Sequence, residues 1–160
     1  MKQISITTSF SVFDSKEDIP QDILPLMDQA IEIRKNAYAP YSKFRVGAAV
    51  LLENGKIILG SNQENAAYPS GLCAERVAIF QAGAIYPGLK ILKVAISAAS
   101  DEKTVATPIP PCGGCRQAIA EYEFKQDFPI EIYFMGETGA ICKSDSLKNL
   151  LPFSFGKNFL

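Results

Sequence analysis

Three cysteines and one glutamate form the part of this sequence best equipped for chemistry. Cys112-Gly113-Gly114-Cys115 is a C-x-x-C pair, a spacing at which two thiolates can share one metal ion or one disulfide. Pro110 and Pro111 precede it and a helical pattern starts at it. Both sulfurs therefore fall where backbone N–H groups and the helix dipole favour thiolate. Cys73 follows Pro69-Ser70-Gly71 at the head of a second helical pattern, with Glu75 two residues further on. Positions i and i+2 do not share a face inside a regular helix. Cys73 and Glu75 can converge only if Cys73 sits at the helix mouth, pointing beyond its end, with Glu75 in the first turn. Three sulfurs from two helix starts would leave the fourth tetrahedral position to water, as in catalytic rather than structural zinc sites.

The chain contains no histidine. That removes histidine bases, Ser-His-Asp and Cys-His nucleophiles, and any mixed Cys/His zinc site. Three thiolates and Zn²⁺ together carry one net negative charge, which makes a bound water harder to ionise than at a neutral-ligand site, where its pKa is about 7. The two helix N-termini offset part of that charge. Arg76 either donates hydrogen bonds to the ligand sulfurs or is an ordinary solvated helix residue. The fourth cysteine, Cys142, offers a rival reading: a four-cysteine structural zinc module that binds partners and turns over nothing. That reading leaves Glu75 without a task, and a free cysteine in a strand is commonplace. A C-x-x-C thiol oxidoreductase would leave Cys73 idle.

The elements that must position these residues are legible from periodicity. Residues 4–12 alternate, with Ile4, Ile6, Phe10 and Val12 on one face, the pattern of a half-buried strand. A helix is predicted over about 21–37, carrying Ile23, Leu26, Met27, Ala30 and Ile31, with Pro25 in its first turns where proline does least harm. Pro40-Tyr41-Ser42 closes it. Strands over 44–53 and 56–60 are joined by Asn54-Gly55, a strong hairpin signal. A helix over 73–84 leads to a strand over 91–98, and a helix over 112–124 to a strand over 130–135. A short strand over 140–143 and a small helix over 146–151 follow. The four-residue turn 136–139 is too short for a crossover, so the last two strands must be antiparallel neighbours. The order suggests one mixed sheet with helices packed on its faces.

At 160 residues, 48% hydrophobic and 21% charged, the chain reads as one packed domain spanning 1–160. The formal net charge of -1 and scattered basic residues argue against a nucleic-acid partner. No apolar run approaches a membrane span and the first residues are too polar for a signal peptide, so no membrane partner and a cytoplasmic location are expected.

Four segments resemble the cytidine deaminase family: Phe44-Arg45-Val46-Gly47-Ala48-Ala49, Asn62-Gln63-Glu64-Asn65-Ala66-Ala67-Tyr68, Cys73-Ala74-Glu75-Arg76, and Pro111-Cys112-Gly113-Gly114-Cys115-Arg116-Gln117. They fall in the family's order within roughly residues 20–155. The resemblance implies a three-layer α/β/α fold with a mixed five-stranded sheet, the strand in residues 1–20 being an extra one in an N-terminal extension. It implies one Zn²⁺ per chain on Cys73, Cys112 and Cys115. Zinc deaminases activate water for attack on C4 of cytosine, with a separate glutamate moving protons; here Glu75 takes that role. By the same resemblance, Asn62 and Glu64 hydrogen-bond the ribose 3′-hydroxyl, Phe44 stacks on the pyrimidine and Ala74 lies among the substrate contacts. Tyr68 and Phe155 complete a neighbouring subunit's pocket in a homotetramer, with Phe153 competing for the role of Phe155. The expected reaction is hydrolysis of free cytidine and deoxycytidine to uridine and deoxyuridine with release of ammonia, in pyrimidine salvage. Within the deaminases an aminonucleoside-antibiotic substrate is the alternative.

Overall fold

Side-chain alternation along the strands sets the layers. The computed structural model describes residues 1–160. Its six strands are β1 (Ser11–Phe13), β2 (Phe44–Leu52), β3 (Ile57–Ser61), β4 (Ile91–Ser100), β5 (Glu131–Met135) and β6 (Ile141–Ser144), with helices α1 (Leu24–Arg34), α2 (Ala74–Ile85), α3 (Gly113–Gln126) and α4 (Leu147–Leu150). Ala48, Val50, Val94, Ile96, Ile132 and Phe134 pack on one side of the sheet against Ala74, Ala78 and Ile79 of α2, Ile119 of α3 and Leu147 of α4. Ala49, Ala95, Tyr133 and Met135, one register position away, pack on the other side against Ile23, Leu26, Met27 and Ala30 at and in α1. This is the period-2 alternation of strands buried on both faces, and it yields an α/β/α sandwich with α1 alone on one face. No helix is long and apolar enough to cross a membrane.

The strand order is β1-β6-β5-β4-β2-β3. β4 and β5 are parallel, while β5–β6, β4–β2, β2–β3 and β1–β6 are antiparallel. The final pair is antiparallel, as the short turn requires. Both β3-to-β4 and β4-to-β5 are parallel crossovers that step in the same direction across the sheet. Such crossovers are right-handed, so α2 and α3 lie on the same face and both begin at the carboxyl edge of β4 and β5. β2 starts and β3 ends at that edge too, because Phe44 pairs with Ser100 and Gly47 with Ser61.

The sheet has the five expected strands plus the extra one, but the extra strand is far shorter than the alternation suggests. Only Ser11–Phe13 pairs, with Phe13, Val12 and Ser11 opposite Ile141, Cys142 and Lys143. The supposed buried face is exposed, Ile4 at 74% and Val12 at 61%. Alternation alone does not create a strand where β6 has ended and no partner remains to bond. The first long helix is also shorter than predicted, because Pro20 and Pro25 confine its start and Lys35 ends it.

One buried acidic side chain, Glu123, joins three elements: its carboxyl oxygens accept hydrogen bonds from Ile130 N (2.8 Å), Leu147 N (2.9 Å) and Ser146 Oγ (2.7 Å). Its oxygens satisfy donors at the entry to β5 and the start of α4 that burial would otherwise leave unpaired. In the same helical layer, α2 lies so close to β3 that Gly60 has no room for a side chain. A Cβ there would stand 2.4 Å from Ala74 O and 2.6 Å from Ala78 N. Gly60→Ala is therefore expected to destabilise the fold by about 1–3 kcal/mol or more, read as a lowered denaturant midpoint. An unchanged midpoint would mean that α2 is not seated as described.

Candidate active site

Cys73 and Cys112 are the N-cap residues of α2 and α3, both in extended backbone conformation and neither capping its helix with its side chain. Their carbonyls accept the first helical hydrogen bonds, from Val77 N at 3.1 Å and Arg116 N at 2.9 Å. Their sulfurs are left to face each other across the gap between the two helix starts. Cys115, one turn into α3, is fully buried beside them. Cys73 Sγ lies 3.8 Å from Cys112 Sγ, which lies 3.5 Å from Cys115 Sγ, and the three sulfurs fall within 4.8 Å of one another. Zinc–sulfur bonds of about 2.3 Å at tetrahedral angles require sulfurs about 3.8 Å apart, so the cluster fits one zinc ion. Cys142 is not part of it; that residue sits in β6, paired with Val12 and Phe134.

The electrostatics follow from two helix starts and one guanidinium. Arg76 Nη2 approaches Cys73 Sγ at 3.9 Å. Its Nε is buried without a hydrogen-bond partner, on a side chain whose other end meets the anionic sulfur cluster. The hydrogen bond from the Cys115 thiol, opposed by burial and aided by Arg76, draws the Cys73 thiol down to about 5. The same hydrogen bond and burial hold the proton on Cys115. Glu75 is only 5% exposed in the first turn of α2, and burial pushes its carboxyl up, with the charge on Cys73 adding to the shift. A carboxyl whose charged form is disfavoured in this way holds a proton more readily than an exposed one, the property a proton carrier needs.

Beside the cluster opens a cavity of about 500 Å³ whose wall includes Tyr41, Ser42, Asn62, Glu64, Tyr68, Leu72, Cys73 and Arg76, within the usual size range for small-molecule sites. Glu64 Oε2 accepts from Tyr41 N at 2.9 Å and Ser42 N at 3.2 Å, and the Ser42 hydroxyl donates to Oε1. The Asn62 side chain clasps the start of β2, accepting from Val46 N at 2.8 Å and donating to Phe44 O at 2.9 Å. Ala74 is buried at the head of α2. Tyr68 stands 78% exposed in the cavity wall, its ring edge-on to Tyr41 at 6.3 Å. The half-buried Phe44 opens β2 above this edge but does not line the cavity.

Phe155 is not brought to the cavity. Its carbonyl accepts from Gln117 Nε2 at 2.8 Å and its exposed ring stacks on Phe159; Phe153 is more exposed still. Tyr41 and Ser42 were legible only as a helix stop, although Glu64 is bonded to both. Arg116 was also missed: it donates to Pro111 O at 2.8 Å and Leu150 O at 2.9 Å, bracing the Cys112 loop against α4. A larger hollow of about 820 Å³ lies between the end of α3 and the C-terminal segment, but it contains no cysteine and only three hydrophobic lining residues, so it offers little surface to cover a base.

A family model for the cytidine and deoxycytidylate deaminase zinc-binding region matches residues 20–128. The chain belongs to that family. A cytidine deaminase of Sporosarcina psychrophila is 39% identical over 139 residues, covering 87% of this chain and 95% of that protein. One of Halalkalibacterium halodurans is 48% identical over 96 residues, covering 60% and 68%. The crystal structure of a cytidine deaminase from Burkholderia pseudomallei superposes with a TM-score of 0.72 at 35% identity, over 86% of this chain and all of that one. As a member of the cytidine deaminase family the protein is a hydrolytic deaminase of a pyrimidine substrate. The sulfur geometry sets the first expectation for this deaminase. Cys142→Ser should leave metal content at one zinc per chain, whereas Cys112→Ser should lower it. Equal loss in both variants, by elemental analysis, would point to a four-cysteine site.

Proposed function

We propose that the protein hydrolyses the 4-amino group of free cytidine and deoxycytidine, releasing ammonia, as a zinc-dependent enzyme of pyrimidine salvage. The observation that carries this reading is the buried Glu75 carboxyl in the first turn of the helix whose N-cap sulfur belongs to the three-sulfur cluster. When bound to Cys73, Cys112 and Cys115, zinc supplies Lewis-acid activation of water. Glu75 takes a proton from the attacking water, delivers it to N3 of the ring and helps the amino group depart as ammonia. Water contributes the oxygen that becomes the O4 carbonyl. Burial suits Glu75 to carry the proton in one step and be ionised in the next. Arg76 lowers the excess negative charge on the sulfurs through its bond to Cys73.

Phe44 is assigned to stacking on the base, Ala74 to contact with it, and Asn62 and Glu64 to the 3′-hydroxyl. An ionised carboxylate only accepts hydrogen bonds. It therefore suits a free hydroxyl and is repelled by a 3′-phosphodiester, which favours free nucleosides over nucleic acid. Tyr68, and Phe155 of the C-terminal segment, are assigned to a neighbouring copy's pocket in a homotetramer. The exposure of both rings supports this, and a fully active monomer in sedimentation at assay concentration would refute it. Thiols in this state fit a reducing, cytoplasmic setting.

Glu75→Gln preserves size but removes the base, so it should fold, keep its zinc and lose ~10²- to 10⁴-fold in kcat. In the wild-type enzyme, cytidine and deoxycytidine should be converted while 3′-CMP and a cytosine-containing single strand should not. Loss of zinc from Glu75→Gln would make Glu75 a ligand, and oligonucleotide turnover equal to that of cytidine would overturn the free-nucleoside reading.

A further inference from the structure

The turn that precedes β2 contains an unusual backbone and an unusual concentration of hydrogen bonds on one carboxylate. Lys43 is one of two non-glycine residues with positive φ, at 55°. That left-handed residue reverses the chain between Ser42 and Phe44. The turn is held from outside: Lys43 N donates to Ala39 O at 3.2 Å and Lys43 O accepts from Asp101 N at 2.8 Å. Asp101 also takes a two-pronged hydrogen bond from Arg45, at 2.8 and 3.0 Å. Within this frame the Ser42 hydroxyl does two things. It donates to Glu64 Oε1 and accepts from Phe44 N at 3.0 Å. A single oxygen thus joins the carboxylate assigned to the sugar and the main chain of the ring assigned to the base.

An ionised carboxylate has about four acceptor positions. On Glu64, Tyr41 N and Ser42 N occupy the two of Oε2, and the Ser42 hydroxyl occupies one of Oε1. One remains. We propose that Ser42 is a positioning residue for nucleoside recognition, orienting Glu64 so that a single acceptor position on Oε1 is left for one sugar hydroxyl. The inference rests on the reading of Glu64 as the sugar-binding carboxylate. The Ser42 hydroxyl is also the largest reason the Glu64 carboxyl lies below its ordinary range, ahead of the two backbone donors and against desolvation, in keeping with the geometry of that contact.

A serine that served only the turn would affect stability and treat all substrates alike. The test therefore compares cytidine with 3′-deoxycytidine, which lacks the hydroxyl, in wild-type protein and in Ser42→Ala, Ser42→Thr and Glu64→Gln. Ser42→Ala should raise KM for cytidine by about tenfold, the equivalent of one well-aligned hydrogen bond to a charged group, with kcat changed far less. It should also shrink the cytidine-to-3′-deoxycytidine ratio of kcat/KM by a similar factor, and Ser42→Thr, which keeps the hydroxyl, should restore it. If Glu64→Gln collapses the ratio while Ser42→Ala leaves it intact, the positioning role falls and the reading of Glu64 stands. If Glu64→Gln also leaves it intact, the reading of Glu64 falls first, and the role of Ser42 with it. Should the alanine variant fail to fold, Ser42→Cys, a weak donor of similar shape, decides the matter: a shrunken ratio supports the proposal and an unchanged one overturns it.

Discussion

The parallel pairing of β4 with β5 is the constraint on which the site depends. A parallel pair cannot be closed by a hairpin, so a helix must carry the chain back. α3 carries it from β4 to β5, and α2 carries it from β3 to β4. Both steps go the same way across the sheet, and handedness then places both helices on one face with their N-termini at the same edge. Two cysteines at the two N-caps are thereby brought face to face, although 39 residues separate them in sequence. Gly60, which lets α2 settle on β3, and Arg116, which ties the Cys112 loop to α4, fix the remaining freedom.

Converging sulfurs create a charge problem that the surrounding residues divide among themselves. Helix N-termini place positive ends of backbone dipoles at the cluster, and Arg76 adds a full charge against Cys73. Glu75 stands in the opposite situation. Its burial disfavours the charged form, which is a stability cost in a resting protein and an advantage in the proton-carrying role proposed for it. Glu64 has three donors converging on it, which hold its carboxyl below the ordinary range, the Ser42 hydroxyl first. Two carboxyls at one edge of one sheet are thus pushed in opposite directions, Glu75 upward by burial and Glu64 downward by its hydrogen-bond donors.

What the sequence disclosed and what it withheld divide along local and non-local interactions. The helix-start placement of Cys73, Glu75, Cys112 and Cys115 was legible because its spacing cues are local, and the antiparallel β5–β6 pair because turn length is local. The parallel register of β4 and β5 was not, since nothing in either strand states its neighbour. Residues 4–10 misled because alternation reports a side-chain pattern and says nothing about whether a partner strand is present; β6 ends at Ser144 and offers hydrogen bonds only to Ser11–Phe13. Ser42 read as helix punctuation because its role depends on a carboxylate 22 residues away. Glu123 was invisible for the same reason, its donors being at Ile130, Ser146 and Leu147. Phe155 sits apart from its own chain's cavity, which a linear sequence cannot reveal.

The central claim is that two helix starts and one helical turn deliver three sulfurs, and no more, to a single metal ion with one side open to water. X-ray absorption at the zinc edge of the purified enzyme measures this directly. Three sulfur neighbours at about 2.3 Å and one oxygen or nitrogen neighbour at about 2.0 Å are expected. Four sulfur neighbours, or a carboxylate oxygen that disappears in Glu75→Gln, would contradict it.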